Sequence, residues 1–181
     1  PGEHQQENAA LAVEALHATG ITLGYETVKA GLGSTSWPGR FERVDRSPET
    51  HTGKQTLILD IAHNPAATTA LVANWTREFP GTKANLLFGA VESKDIAGIL
   101  QILAPIVSRI HLVPVNSPRA VHPADLHALL PPDHPPATIH DSLTSALEDS
   151  SPLPALVTGS TFLVGEVKAL LEQSSHRATT Q

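Results

Sequence analysis

Short apolar runs alternate with helical patterns through most of this 181-residue chain. Strands are predicted at residues 56–61, 84–90, 109–115, 137–140 and 154–158, with a possible edge strand at 41–45. The helices that follow the five main strands are predicted at residues 66–79, 94–103, 123–130, 143–149 and 161–173. Repeated strand–helix units form parallel sheets, and nearly all-apolar strands are buried on both sides. The sequence therefore predicts an α/β fold, a Rossmann-like, mostly parallel sheet with helices on both faces.

The first part of the chain has a different pattern, because two helices precede the first strand. Residues 4–18 carry an apolar stripe, and a second helix is predicted at residues 25–32. The chain contains no methionine, even at position 1, so we expect a fragment of a longer protein. Three parts are predicted, namely a helical segment at 1–36, an α/β domain at 37–176 and a disordered tail at 177–181.

Composition argues against several classes of protein. The net charge is −6 and no block of basic residues occurs, which argues against nucleic-acid binding. Cysteine is absent, so the chain has no disulfide, no thiolate metal ligand and no cysteine nucleophile. Ten histidines are scattered without HExxH or another tight ligand spacing, so no zinc site is predicted. No apolar run has the length of a membrane span, and no signal peptide is predicted. The absence of cysteine fits the cytoplasmic location that we expect.

Polar side chains cluster where the first buried strand ends, in the stretch TLILDIAHNP at residues 56–65. In open α/β sheets, ligands collect at the carboxyl ends of the strands. Asn64 and Pro65 have a structural interpretation as the N-cap and the first residue of a helix. Asp60 is either an acid near a helix start or an acceptor for ribose hydroxyls. His63 either binds a phosphate or carboxylate or hydrogen-bonds a loop.

Three further polar residues lie at predicted strand ends or turns. Ser160, beside Gly159 at the start of the last helix, is either an N-cap or part of an anion site. Lys94 is either a solvated charge or a cation that holds a substrate carboxylate. Arg40 follows the Pro-Gly turn in WPGRFE and is either a surface residue or a group that neutralises phosphate oxygens. The chain contains neither GxxxxGK[ST] nor GxGxxG, so the phosphate-cradling half of a nucleotide site is not predicted here.

Five motifs occur along the chain in the order GEHQQENAALAVEAL, WPGRFE, LDIAHNP, ESKD and VTGSTFLVGE. Together they resemble the C-terminal part of the folylpolyglutamate synthase/dihydrofolate synthase branch of the Mur ligase family, over almost the whole chain. The resemblance implies a Rossmann-like C-terminal domain that follows the last helices of an ATP-binding central domain. It also implies an enzyme that uses ATP and Mg²⁺ to phosphorylate a folate or dihydropteroate carboxylate, which the amine of glutamate then attacks.

The resemblance also implies roles for single residues. It places Asn8 at the adenine of ATP, Arg40 at the phosphates and Asp60 at the ribose. His63 corresponds to a catalytic histidine near the reacting phosphate. These four residues would form the part of the ATP site that this chain contributes.

Lys94 and Ser160 correspond to positions where related ligases hold the carboxylate of the incoming amino acid. The P-loop and the Mg²⁺ ligands are expected in an N-terminal domain of the same polypeptide, so the fragment alone is expected to be inactive. The implied partners are small molecules, namely ATP, L-glutamate and a folate or dihydropteroate. Two other interpretations stay open: another Mur-type ligase that acts on a nucleotide-linked peptide precursor, and an α/β binding module without catalysis.

Overall fold

The computed structural model describes residues 3–47, 54–92, 95–150 and 152–179. The chain divides into two compact units, Pro1–Pro38 and Gly39–Gln181. The Pro1–Pro38 unit contains the two predicted helices, α1 (Glu3–Ala18) and α2 (Tyr25–Ser34). A glycine with a positive φ of 83°, Gly20, follows α1 and ends it.

The Gly39–Gln181 unit is built on a six-stranded sheet. The strands are β1 (Glu42–Arg46), β2 (Gln55–Leu59), β3 (Ala84–Phe88), β4 (Val107–Leu112), β5 (Ala137–Ile139) and β6 (Ala155–Thr158). Their order across the sheet is β1-β2-β6-β3-β4-β5. All neighbouring strands are parallel except β1, which pairs antiparallel with β2 at one edge. The predicted α/β fold with a mostly parallel sheet is confirmed.

Helices cover both faces of this sheet, as predicted. They are α3 (Pro65–Glu78), α4 (Ile96–Leu103), α5 (Pro123–Ala128), α6 (Leu143–Asp149) and α7 (Thr161–Thr179). Successive strand residues point to opposite faces, and the two apolar cores follow this alternation. In β2, for example, Ile58 packs in the core that contains α3 and α4, whereas Leu57 and Leu59 pack in the core that contains α6 and α7.

β2 and β6 are neighbours in the sheet, yet the helices that follow them lie on opposite faces. α3 enters one core through Leu71 and Trp75, and α7 enters the other through Leu163 and Val167. The chain therefore leaves these two strands in opposite directions, which is the arrangement that opens a ligand crevice in α/β sheets. We call this region the carboxyl edge: the loops after β2 and β6, together with the turn that precedes the antiparallel β1.

The ends of α7 and β4 differ most from those predicted. α7 continues to Thr179, past residue 173 and into the tail at 177–181, because residues 174–179 contain neither glycine nor proline to end a helix. β4 ends at Leu112 instead of residue 115, next to Pro114, which lacks an N–H for the strand ladder. In the described part of the chain, none of the helices combines the length and the apolar character that crossing a bilayer requires.

Candidate active site

Asp60 follows β2 directly and is only 8% exposed. Its Oδ2 accepts the backbone N–H of Phe41 at 2.8 Å, and its Oδ1 accepts the backbone N–H of Ala62 at 2.8 Å. Its own N–H donates to the carbonyl of Val157 in β6 at 3.0 Å. The carboxylate is therefore fixed between the loop after β2 and the turn before β1.

The turn that carries Arg40 has an unusual backbone. Gly39 has a φ of 72° and Phe41 a φ of 48°, which is uncommon for a residue with a Cβ. The carbonyl of Gly39 accepts the N–H of Ile61 at 2.8 Å, and a Cβ on Gly39 would lie 2.9 Å from Cγ2 of Ile61. Such strain persists only where the surrounding contacts over-determine the backbone, and it clusters at ligand-binding sites. The turn places an exposed Arg40 next to the loop after β2.

An ion pair joins this turn to α7. Oε2 of Glu42 accepts the N–H of Gly39 at 2.7 Å, and Nζ of Lys168 donates to Oε1 of Glu42 at 2.6 Å. The two charged side chains are 27% and 28% exposed, so solvent screens them only in part. This pair has no signal in the sequence, because its members are 126 residues apart and only the fold brings them together.

Replacing Glu42 by glutamine is expected to lower the free energy of unfolding by roughly 1–2 kcal/mol. The amide keeps the shape of the side chain but loses the charge that balances Lys168. Urea denaturation of the chain, followed by circular dichroism, measures the change. Asp45→Asn is the matched control, because Asp45 pairs with Arg43 on the exposed surface, where ion pairs contribute little. Equal destabilisation by the two substitutions would contradict the prediction.

His63 and Asn64 both hydrogen-bond near the start of α3. Nδ1 of His63 lies 2.9 Å from the carbonyl oxygen of Ile61, which can only accept, so Nδ1 carries a hydrogen. Nε2 of this half-buried ring is then an acceptor in the neutral form and a donor in the imidazolium form. Asn64 accepts the N–H of Ala67 through Oδ1 at 2.8 Å, and Pro65 begins α3. The predicted helix cap is thus confirmed.

The loop after β6 is bonded to the loop after β2. The N–H of Gly159 and Oγ1 of Thr158 both donate to the carbonyl of Ala62, at 3.1 and 3.2 Å. Ser160 is 2% exposed, and its Oγ accepts the N–H of Phe162 in the first turn of α7 at 3.1 Å. The structural interpretation of Ser160 as a helix cap is therefore correct. The hydroxyl also has a hydrogen that it can donate to an anion.

Four of the six predicted site residues lie at the carboxyl edge: Arg40, Asp60, His63 and Ser160. Lys94 lies outside the described residues. Its neighbour Asp95 caps α4 by accepting the N–H of Gly98 at 2.9 Å. Asn8 is exposed on α1, in the Pro1–Pro38 unit. Glu42 and Gly159 also hold the edge together, although neither was predicted as a site residue.

Residues 39–154 match the family described as Mur ligase, glutamate ligase domain. The chain belongs to the Mur ligase family. The match begins at Gly39 in the strained turn and covers the loop after β2. The predicted membership of the Mur ligase family is thereby confirmed.

This Mur ligase chain is similar to curated proteins that are considerably longer. It is 35% identical over 133 residues to a dihydrofolate synthase/folylpolyglutamate synthase of Mycobacterium tuberculosis, a match that covers 71% of this chain and 25% of the relative. It is 27% identical over 175 residues to a folylpolyglutamate synthase of Lacticaseibacillus casei, which covers 94% of this chain and 39% of the relative. The chain thus spans less than half the length of these relatives.

Solved structures of such enzymes share the fold. A folylpolyglutamate synthase of M. tuberculosis, complexed with ADP and AMPPCP, matches with a TM-score of 0.82 and 29% identity over 94% of this chain and 40% of that one. Escherichia coli FolC with DHPP and ADP matches with a TM-score of 0.79 and 29% identity, over 94% and 40%. A bifunctional folylpolyglutamate synthase/dihydrofolate synthase with Mn, AMPPNP and L-glutamate bound matches with a TM-score of 0.76 and 31% identity, over 91% and 39%. Relatives with this fold therefore bind nucleotides and a divalent metal.

Proposed function

We propose that this chain supplies the glutamate ligase domain of an ATP-dependent ligase, which adds L-glutamate to a folate or dihydropteroate through an acyl phosphate. The observation that carries the proposal is the strained turn at the carboxyl edge. It holds an exposed Arg40 next to the loop of Asp60 and His63 in a chain of the Mur ligase family. The nucleotides, DHPP and L-glutamate bound by relatives support these classes of ligand.

In the proposed site, each residue meets the part of ATP that its chemistry suits. The guanidinium of Arg40 keeps its charge at any physiological pH and neutralises phosphate oxygens. Asp60, fixed by two backbone N–H groups, accepts the ribose hydroxyls. His63, whose Nδ1 is bonded to the carbonyl of Ile61, presents Nε2 to the reacting phosphate. We also propose that Asn8, in the Pro1–Pro38 unit, contacts an adenine through its amide.

The proposed reaction needs positioning and not a side-chain nucleophile. An oxygen of the folate or dihydropteroate carboxylate attacks the γ-phosphorus of ATP, and ADP leaves. The amine of glutamate then attacks the acyl carbon, phosphate leaves, and the amine loses a proton. Fixed cationic and hydrogen-bonding groups around these oxygens favour the charged transition states. Lys94 and Ser160 are proposed to hold the α-carboxylate of the incoming glutamate.

At the carboxyl edge, the carboxylate of Asp60 already accepts two backbone N–H groups. Mg²⁺ at nucleotide sites is bound by one or two carboxylates together with phosphate oxygens of the substrate. We propose that the ligands of the ion and the P-loop belong to an ATP-binding domain in the same polypeptide. α1 and α2 are proposed to be the last helices of that domain, and the enzyme to be cytoplasmic.

An assay of the gene product that contains these residues tests the proposed function. ADP release is expected only when L-glutamate and either tetrahydrofolate or dihydropteroate are both present, with a product heavier by one glutamyl residue. ADP release with a nucleotide-linked peptide precursor instead would identify a different Mur-type ligase. ATP binding without ADP release with any of these substrates would indicate a binding module.

A further inference from the structure

His111 is a fully buried histidine in the middle of the sheet. It lies in β4 between Ile110 and Leu112, which pack in the core with α3 and α4, so its own side chain lies on the other face. Its exposed fraction is 0%. A buried imidazole needs partners for its ring nitrogens, because an unpaired polar group in the core is costly.

Two other elements bring polar atoms to Nδ1 of His111. His140 follows β5, and its Nε2 lies 3.0 Å from that nitrogen. Asp149 ends α6, and its Oδ2 lies 3.4 Å from Nδ1 of His111 and 3.7 Å from Nε2 of His140. The side chain of His140 is 8% exposed and that of Asp149 is 47% exposed, so the cluster is closed at one end and reaches solvent at the other.

Ser145 determines which nitrogen of His140 carries the hydrogen. A hydroxyl has one hydrogen, and Ser145 donates it to the carbonyl of Ser142 at 3.0 Å. Oγ of Ser145 must therefore accept from Nδ1 of His140, 3.3 Å away. Neutral His140 then has a lone pair on Nε2, the atom that faces the cluster.

Hydrogen bonds alone leave this cluster incompletely satisfied. An ionised carboxylate can only accept hydrogen bonds. A single hydrogen, on Nδ1 of His111, would therefore have to be donated to both Asp149 and His140. Nε2 of His111 is buried and has no hydrogen-bond partner in the described residues. Nε2 of this ring is thus unpaired in either tautomer. Moving the hydrogen from Nδ1 to Nε2 would leave the cluster without a hydrogen, because a neutral imidazole carries only one. With a cation among the three converging atoms, the hydrogen of His111 lies on Nε2, and the lone pairs on Nδ1 of His111, Nε2 of His140 and Oδ2 of Asp149 all face the ion.

The separations of these atoms suit a metal ion. Ligand atoms about 2.0–2.1 Å from a tetrahedral Zn²⁺ lie about 3.3 Å from one another, and the observed 3.0, 3.4 and 3.7 Å bracket that distance. Two imidazoles and a carboxylate suit Zn²⁺, whereas Mg²⁺ and Ca²⁺ prefer oxygen ligands alone. The bond from His140 to Ser145 is of the kind that orients metal-binding histidines.

We propose that His111, His140 and Asp149 form a binding site for one zinc-type divalent ion, with water as the fourth ligand on the solvent side. The ion would tie α6 to β4 and to the end of β5, and so stabilise the folded domain. The three residues are scattered in the sequence, which is why no ligand spacing predicts the site.

Zinc titration of the 181-residue chain, prepared without a histidine tag and stripped with EDTA, tests the site. Isothermal titration calorimetry is expected to find one tightly bound Zn²⁺ per chain, and Tm is expected to rise as Zn²⁺ is added. Co²⁺ is expected to give the strong visible absorption of a four-coordinate site, a readout that needs no substitution. Absence of tight Zn²⁺ binding, or a six-coordinate Co²⁺ spectrum, would overturn the proposal.

Two substitutions assign the ion to this cluster. Asp149→Asn and His140→Gln are each expected to weaken Zn²⁺ binding by about tenfold or more. The matched control is the double substitution of His127 and His134 by glutamine, because these two rings also lie close together, with centroids 5.6 Å apart. It is expected to bind Zn²⁺ as tightly as the unsubstituted chain. Loss of the ion from this control, with tight binding retained in Asp149→Asn, would refute the assignment.

Discussion

Replacing Arg40 by alanine is expected to lower kcat/KM for ATP by about a hundredfold or more in the ligase proposed here. One well-positioned charged donor contributes about that much when it stabilises transferring phosphate oxygens. Arg40 is exposed, and its turn is held by the backbone of Gly39 and by Asp60, so the substitution should leave Tm unchanged. Steady-state kinetics of the gene product with varied ATP measure the effect.

The neighbouring arginine provides the control. Arg43 is exposed in β1 and donates to Thr56, outside the strained turn. Arg43→Ala is therefore expected to keep nearly full activity. The kcat/KM for ATP of Arg40→Lys should lie between those of Arg40→Ala and Arg43→Ala, because an ammonium keeps the charge but lacks the planar fork of a guanidinium. Equal kcat/KM values for ATP in Arg40→Ala and Arg43→Ala would contradict the proposal that Arg40 binds the phosphates.

Most of the fold could be predicted from the sequence because the signal is local. β2, β3 and β6 are short runs of mostly apolar residues, and the helices after them begin at recognisable caps such as Asn64-Pro65. The chain order of these units then implies a parallel sheet, whose carboxyl ends share one edge. That geometry is sufficient to predict that Asp60, His63 and Ser160 come close together.

The contacts that hold this edge could not be predicted, because they depend on residues far apart in the sequence. The positive φ of Phe41 accompanies a hydrogen bond to Asp60, 19 residues away. Lys168 reaches Glu42 only because α7 packs against the sheet beside β1. The same holds for His111 and His140, since a buried histidine in an apolar strand gives no sign of its partners.

Replacing Gly159 by alanine is expected to lower the free energy of unfolding by roughly 3–5 kcal/mol, as strain and overpacking add. Gly159 has a φ of 105°, which residues with a Cβ rarely adopt. A Cβ there would lie 2.6 Å from Cε2 of Phe88, a fully buried ring, and 2.8 Å from the carbonyl oxygen of Gly89. Phe88 is packed in the core and the carbonyl belongs to the backbone, so moving either of them destabilises the folded state. Urea denaturation followed by circular dichroism measures the loss.

Two other glycines separate backbone strain from steric overlap. Gly81 has a φ of 73° but open space where a Cβ would lie, so Gly81→Ala should cost only about 1–2 kcal/mol. Gly165 lies in α7 without strain and with nothing within 4 Å of the added Cβ, so Gly165→Ala should stabilise the helix by about 0.5–1 kcal/mol. If Gly159→Ala lowered the free energy of unfolding no more than Gly81→Ala does, the loop after β6 would be able to move away from the added Cβ. In that case the bond from Gly159 to Ala62 would not hold the carboxyl edge rigidly, and Ser160 would lose its fixed position beside the loop of His63.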